Sequence, residues 1–211
     1  EGNLINGLDG FVSGKDNVIG VSSDSSVVMG KNNLVTSTDE RSDYSVALGL
    51  DNIIKGGVPA SVAIGNANIV SSTNIDGSAS ESVAIGSNNL IKVINGYAFG
   101  WSNEVDGRDS DTDGVAVGIR NHTYGDGAMA FGRNVSSSAK SSITIGVSNV
   151  NGAKLTNTVT GTIMLGSNST LPTLTLSDSG GAGLVGKAGV GTSSPTAKLT
   201  VQGDGISNPF A

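Results

Sequence analysis

A five-residue string of the form Ser-Val-Ala-Ile-Gly recurs along the chain at short intervals, and its clearest copies close at Gly65 and Gly86. Ten related copies can be aligned on the closing glycine, at Gly14, Gly30, Gly49, Gly65, Gly86, Gly100, Gly118, Gly132, Gly146 and Gly166. Successive closing glycines are 14 to 21 residues apart. A short period with variable insertions is typical of a solenoid, in which each turn of the chain stacks on the previous one.

An asparagine follows the closing glycine by three residues in eight of the ten copies. These eight are Asn17, Asn33, Asn52, Asn68, Asn89, Asn103, Asn121 and Asn149. In the other two copies, Asn134 and Asn168 come one residue earlier. Asparagine tolerates left-handed backbone geometry and can hydrogen-bond its own turn, so we expect stacked copies to form a ladder of side-chain amides.

Within each copy, large apolar residues alternate with a small residue, as in a β-strand whose successive side chains point to opposite faces. We expect the large residues to fill the inside of each coil: Val46, Leu48, Val83, Ile85, Tyr97, Phe99, Ile143 and Ile145. The small residue is mostly alanine, at positions 47, 63, 84, 98, 116 and 130, and we expect it to face a neighbouring backbone outside the coil. An ordinary hairpin meander is the alternative, but the regular phase of the repeat favours a solenoid.

The repeat divides the chain into four parts. Residues 1–10 are interpreted as an amino-terminal cap or junction, 11–170 as the repeats, 171–188 as a second junction with a strand at 173–176, and 189–211 as a carboxy-terminal element. The longer insertions, at 36–44, 71–80, 106–113 and 151–161, follow the asparagine turn and are rich in loop-forming residues. Loops on a rigid scaffold are common places for recognition, although idle surface loops are an equally good interpretation.

The repeats resemble the head repeats of YadA-type trimeric autotransporter adhesins, apart from the insertions. The resemblance implies a left-handed parallel β-roll assembled as a homotrimer, with the small-residue faces toward a common axis. Residues 189–201, Gly-Val-Gly-Thr-Ser-Ser-Pro-Thr-Ala-Lys-Leu-Thr-Val, resemble the GIGTxxPxAKLxV element of phage tail fibres, with Val190 in place of the usual isoleucine.

Together, these resemblances imply an all-β structural segment of a bacteriophage tail or head fibre. Such a segment would lie on the virion, contact other virion proteins and attach to a glycan or protein of the host surface. Two alternatives stay open: the head of a bacterial trimeric adhesin on the bacterial outer surface, and a tailspike that cleaves polysaccharide.

Composition argues against several other classes of protein. With 12 Lys and Arg against 18 Asp and Glu, the net charge of −6 does not favour binding to the phosphates of nucleic acid. No apolar run approaches the roughly 20 residues of a membrane span, so membrane insertion is not expected. The chain has no cysteine, one histidine and only 4% aromatic residues, which does not favour a catalytic triad or an aromatic-lined sugar cleft. We therefore expect no enzymatic activity.

One segment has the pattern of a cation-binding loop. Asp109, Asp111 and Asp113 alternate before Gly114, as in the first half of a calcium loop. The twelfth position, where a calcium loop needs a bidentate glutamate, is Arg120. The three aspartates are thus candidate calcium ligands, with solvated acids as the alternative, and no other cofactor is expected.

Four side chains with polar-tipped rings are candidates for contact with a receptor: Tyr44, Trp101, His122 and Tyr124. Tyr97 is assigned to the core from its phase in the repeat. A purely structural role is the alternative for each of these residues.

Overall fold

The computed structural model describes residues 2–37, 43–57, 59–71, 81–107, 113–149, 152–181 and 184–203. The described residues form an all-β, parallel β-solenoid of about nine turns. They include no helix with the length and apolar character needed to cross a membrane.

Each turn contributes one strand to each of two sheets. The first, here called the glycine sheet, contains the strands with a closing glycine and three that follow them: β2 (Phe11–Lys15), β4 (Val27–Lys31), β6 (Val46–Leu50), β8 (Val62–Asn66), β10 (Val83–Ser87), β12 (Tyr97–Trp101), β14 (Val115–Ile119), β16 (Met129–Arg133), β18 (Ile143–Val147), β20 (Ile163–Ser167), β21 (Leu174–Ser177), β22 (Lys187–Val190) and β23 (Leu199–Val201). The second, here called the asparagine sheet, contains β1 (Leu4–Ile5), β3 (Val18–Ile19), β5 (Leu34–Thr36), β7 (Ile53–Lys55), β9 (Ile69–Ser71), β11 (Leu90–Ile91), β13 (Glu104–Val105), β15 (His122–Thr123), β17 (Val135–Ser137) and β19 (Leu155–Asn157).

The repeats stack in register in the glycine sheet. In the parallel pair β8 and β10, Ala63 lies opposite Ala84 and Gly65 opposite Gly86. The same pairing of closing glycines continues from β2 to β20. Residues inserted between copies therefore leave the register of the strands unchanged.

The two faces of the repeat strands are oriented opposite to the expectation from sequence. The alanines at 47, 63, 84, 98, 116 and 130 are fully buried between the two sheets. The residues predicted to fill the coil, Val46, Leu48, Val83, Ile85, Tyr97, Phe99, Ile143 and Ile145, point outward and are half-buried or exposed. The assignment of Tyr97 to the core was therefore wrong, since this side chain is 37% exposed.

The physical reason lies in the other sheet. Its inward residues are large and fully buried: Ile19, Val35, Ile54, Val70, Ile91 and Val105. They occupy most of the narrow interior, so a small side chain lies opposite them in the central coils, whereas Val28 and Met164 take the same inward position nearer the two ends. The alanines therefore cannot face a neighbouring copy of the chain. This corrects the arrangement that the resemblance had implied, with the small-residue faces toward a common axis.

The closing glycines allow coils to stack closely. Gly65 has φ of +122°, and a Cβ there would overlap the carbonyl oxygen of Gly86 in the next coil. Eight further closing glycines, from Gly14 to Gly146, also have positive φ and meet the next glycine's carbonyl in the same way. Gly166 has no positive φ; a Cβ there would meet Leu155 instead.

The expected amide ladder is present at the turn after the glycine. Nδ2 of Asn68 lies 3.0 Å from Oδ1 of Asn52, 3.0 Å from the carbonyl oxygen of Ile64 and 2.9 Å from that of Gly86. Equivalent buried asparagines run from Asn17 to Asn121. The sequence-based alignment missed Asn3, whose Oδ1 accepts hydrogen bonds from Asn17 and so begins the ladder.

The ladder does not include every asparagine of the repeat. Asn149 is exposed, and Asn134 and Asn168 occupy left-handed turn positions with φ of +53° and +52°. The insertion at 151–161, expected to be a loop, contains β19, in which Leu155 pairs with Val135 of β17. This insertion therefore supplies a strand of the asparagine sheet rather than a loop alone.

A second ladder, of serines, lies at the opposite corner of the coil. Ser26, Ser45, Ser61 and Ser82 are fully buried. The amide of each later serine donates to the hydroxyl of the one before, at 3.3 to 3.4 Å, and Gly96 continues the pattern. A serine begins five of the ten copies and was visible in the sequence, but its role was not inferred.

Residues on either side of the repeats also join the sheets. β1, from the predicted cap at 1–10, pairs with β3. The strand expected at 173–176 is β21, which runs antiparallel to β20, and β22 and β23 extend the same sheet. Residues 189–201 thus continue the glycine sheet, and the domain boundaries at 10, 170 and 188 stay predictions.

Candidate functional site

The outer face of the asparagine sheet changes in chemistry along the stack. Its outward positions are aliphatic in five successive coils, at Val18, Leu34, Ile53, Ile69 and Leu90. The next two coils place Glu104 and His122 in this row, and these residues are direct cross-strand partners. Ionisable side chains that are far apart in sequence therefore meet on this face.

The polar cluster is defined here as Lys92, Glu104, Asp106, His122 and Tyr124. Nζ of Lys92 donates to Oε1 of Glu104 at 3.0 Å and to Oδ2 of Asp106 at 2.9 Å. The hydrogen bond to Asp106 is the main cause that raises the pKa of Lys92, and burial opposes it. The ammonium group is therefore firmly charged at neutral pH.

His122 lies beside this ion pair. Its ring centroid is 5.9 Å from that of Tyr124, with the ring planes tilted by 43°. Burial lowers the pKa of His122, and the negative charge of Glu104 partly opposes this effect. The imidazole is consequently uncharged at neutral pH. Burial also lowers the pKa of the nearby Lys154.

The other two candidate receptor contacts lie elsewhere on the surface. Tyr44 is 69% exposed in a turn just before β6, with φ of +58°. Trp101 ends β12 and is 42% exposed, and the guanidinium carbon of Arg120 lies 4.6 Å from its ring centroid. Of the four ring side chains singled out from sequence, only His122 and Tyr124 come together.

The calcium loop stays a prediction. Asp109 and Asp111 lie outside the described residues. Asp113 is exposed, with φ of +60°, and its Oδ1 accepts a hydrogen bond of 2.9 Å from Nδ2 of Asn95.

Both sheets have an apolar outer face. On the glycine sheet, one row of outward residues runs through successive coils at Val27, Val46, Val62, Val83, Tyr97, Val115, Met129, Ile143 and Ile163. A second row, two residues further along each strand, consists of Met29, Leu48, Ile64, Ile85, Phe99, Val117, Phe131, Ile145 and Leu165. The asparagine sheet adds its own aliphatic row from Val18 to Leu90. Two distinct apolar surfaces are thus available for contact.

Function has to be inferred from the chain itself. No protein-family model matches it, and neither curated proteins nor solved structures include a significant match.

Proposed function

We propose that the chain is a structural segment of a bacteriophage tail or head fibre, which assembles as a homotrimer and takes part in attachment to the host surface. The observation that supports assembly into an oligomer is the presence of two apolar outer faces, one on each sheet. The repeat and the element at 189–201 support the fibre, through their resemblance to fibre and adhesin sequences.

The outer apolar rows favour association with further copies of the chain. Ile85, Tyr97 and Ile145 are 37 to 40% exposed in the single chain. Extended apolar patches of this kind typically mark protein interfaces. A thin coil also encloses little apolar volume of its own, so packing against neighbours supplies stability that the interior cannot.

The arrangement of the two faces favours a closed ring over a two-fold dimer. The glycine sheet presents two apolar rows, whereas the asparagine sheet presents one shorter row. When the glycine sheet of one copy packs on the asparagine sheet of the next, the contact is heterologous, and it must close as a ring or continue as a filament. The proposed number of chains in the ring is three, because the repeats resemble the trimeric adhesin heads.

Attachment would then depend on many weak contacts. Each trimer would present three copies of exposed side chains such as Tyr44 and Trp101, together with the inserted loops. Linked sites bind with an avidity well above the affinity of one site. A host glycan or surface protein is the proposed partner, together with other virion proteins along the fibre.

Sedimentation equilibrium tests the assembly. Three chains of 20.9 kDa give 3 × 20.9, or about 63 kDa. A mass near this value would support the trimer. A stable monomer or a two-chain particle would contradict it.

Attachment is tested by asking whether the purified assembly competes with phage for adsorption to a panel of bacterial hosts. We expect labelled protein to bind one group of hosts and to slow adsorption of phage to those cells. Tyr44→Ala and Trp101→Ala should weaken binding without changing the mass. Absence of binding to every host would contradict attachment, and release of reducing sugar ends would favour the tailspike alternative.

A further inference from the structure

We infer that Glu104, Asp106 and His122 form a binding site for a divalent first-row transition metal ion such as Zn²⁺, on the outer face of the asparagine sheet. This inference is independent of the proposed fibre function. It depends only on how the coil of Glu104 and Asp106 stacks on the coil of His122.

The three side chains converge from two adjacent strands. One ligand atom from each, two carboxylate oxygens and an imidazole nitrogen, lie within 4.8 Å of one another. Glu104 and His122 are cross-strand partners, and Asp106 follows Glu104 on the same face. To bind one zinc ion, the three side chains would have to move closer together, because each ligand atom lies about 2.0–2.2 Å from the metal.

The Lys92 ammonium already marks a cation position between the two acids. Its Nζ lies 3.0 Å from Oε1 of Glu104 and 2.9 Å from Oδ2 of Asp106. A metal ion at this point would displace Nζ, which sits on a long, flexible side chain that is 25% exposed. Lys92 is therefore a built-in competitor for the metal.

His122 adds an imidazole nitrogen, which takes no part in the ion pairs of Lys92 with Glu104 and Asp106. Among the described residues, neither of its ring nitrogens takes part in a hydrogen bond, so the imidazole keeps a nitrogen available for a ligand. The row that Glu104 and His122 occupy is aliphatic in the five preceding coils. The ligating residues thus stand together at the point where the repeat departs from its own pattern.

The donor set selects the class of ion. Calcium takes six to eight oxygen ligands, whereas one imidazole with two carboxylates suits zinc and its neighbours in the first transition row. The site is also distinct from the predicted calcium loop, which depends on Asp109, Asp111 and Asp113.

Calorimetric titration of ZnCl₂ into the untagged full chain tests the site, in a non-chelating buffer at neutral pH. We expect one zinc ion per chain. His122→Leu and Asp106→Asn should each weaken binding at least about tenfold, as even the loss of an outer-shell group commonly does at metal sites. Lys92→Met should strengthen binding, because it removes the competing ammonium. Co²⁺ should bind in the same place and give a visible absorption spectrum that is lost in His122→Leu.

Lys140→Met is the matched control, since Lys140 makes a 2.7 Å ion pair with Asp126, which is not among the proposed ligands. It should leave zinc affinity unchanged. Circular dichroism of each variant in EDTA would show that the fold is retained. Unchanged zinc affinity in His122→Leu would overturn the inference, as would weaker binding in Lys92→Met, or no binding in both the natural chain and Lys92→Met.

Discussion

At the scale of single residues, the turns explain why glycine and asparagine recur. The closing glycine combines a positive φ with direct contact between coils, and no side chain fits there. Asn68 lies inside the turn, fully buried, and donates to two partly buried backbone carbonyls. The positive φ of the glycine and the hydrogen bond from Asn68 to Ile64, four residues back, are local, so both residue types could be located from sequence.

Gly65→Ala should be strongly destabilising. The new Cβ would overlap the carbonyl oxygen of Gly86, and the alanine would also have to adopt a φ near +122°. We therefore expect a loss of about 3 kcal/mol or more in the free energy of unfolding. Urea unfolding, monitored by circular dichroism, measures this change in the free energy of unfolding. Gly152→Ala is the control: Gly152 also has positive φ, but nothing lies within 4 Å of its added Cβ, so the loss should be about 1–2 kcal/mol. Equal losses in the two variants would show that contact between coils is unimportant.

Asn68→Ala should remove a whole step of the amide ladder. The substitution leaves the carbonyls of Ile64 and Gly86 without their side-chain donor and removes the acceptor for Asn89. We expect the free energy of unfolding to fall by about 3 kcal/mol, since one buried and two partly buried partners lose a hydrogen bond. Asn66→Ala, two residues away on the exposed side, should change it by less than about 0.5 kcal/mol. Similar urea midpoints for the two variants would contradict a structural role for the ladder.

At the scale of the strand, alternation creates two faces with different tasks. In β10, Ala84 is fully buried against the inward residues of the asparagine sheet, whereas its neighbour Ile85 is 37% exposed. The large residue thus serves the outer surface and the small residue serves the core. This is the reverse of the usual association of large apolar side chains with the interior.

Two substitutions in β10 separate folding from assembly. Ala84→Leu should overpack the interior and lower the free energy of unfolding by about 1–3 kcal/mol. Ile85→Ser should keep the strand content seen by circular dichroism but shift the mass in sedimentation toward the monomer, because it removes apolar area from the proposed interface. A fully assembled Ile85→Ser variant would argue against the glycine-sheet face as the interface.

At the scale of the whole molecule, the fold is a one-dimensional stack. Each coil contacts the coils before and after it, so stability depends on nearest neighbours. Among the described residues, the first strand, β1, pairs with β3 alone, and its residues Leu4 and Ile5 are 48% and 47% exposed. At the other end, the antiparallel β21 covers the edge of β20.

Hydrogen exchange should reveal this stacking as a gradient. We expect amides in β1 and β2 to exchange faster than those in the central strands β8 to β12, because opening an end coil breaks contacts on one side only. Exchange monitored by mass spectrometry after proteolysis would resolve these segments. Uniform protection along the repeats would instead show that the stack opens as a single unit.

The sequence alone determined the repeat, its all-β solenoid fold and most of the places where glycine and asparagine make the turns, because positive φ and the hydrogen bond of the amide to a carbonyl four residues back are local properties of the backbone. Only the tertiary structure decided which face of each strand is buried. Alternation predicts two faces, but the spacing between the sheets and side chains such as Ile54 and Val70 in the opposite sheet favour a small inward residue, which is alanine in the six central coils. The same holds for the polar cluster: Glu104 and His122 are 18 residues apart in sequence and become neighbours only because one coil stacks in register on the next.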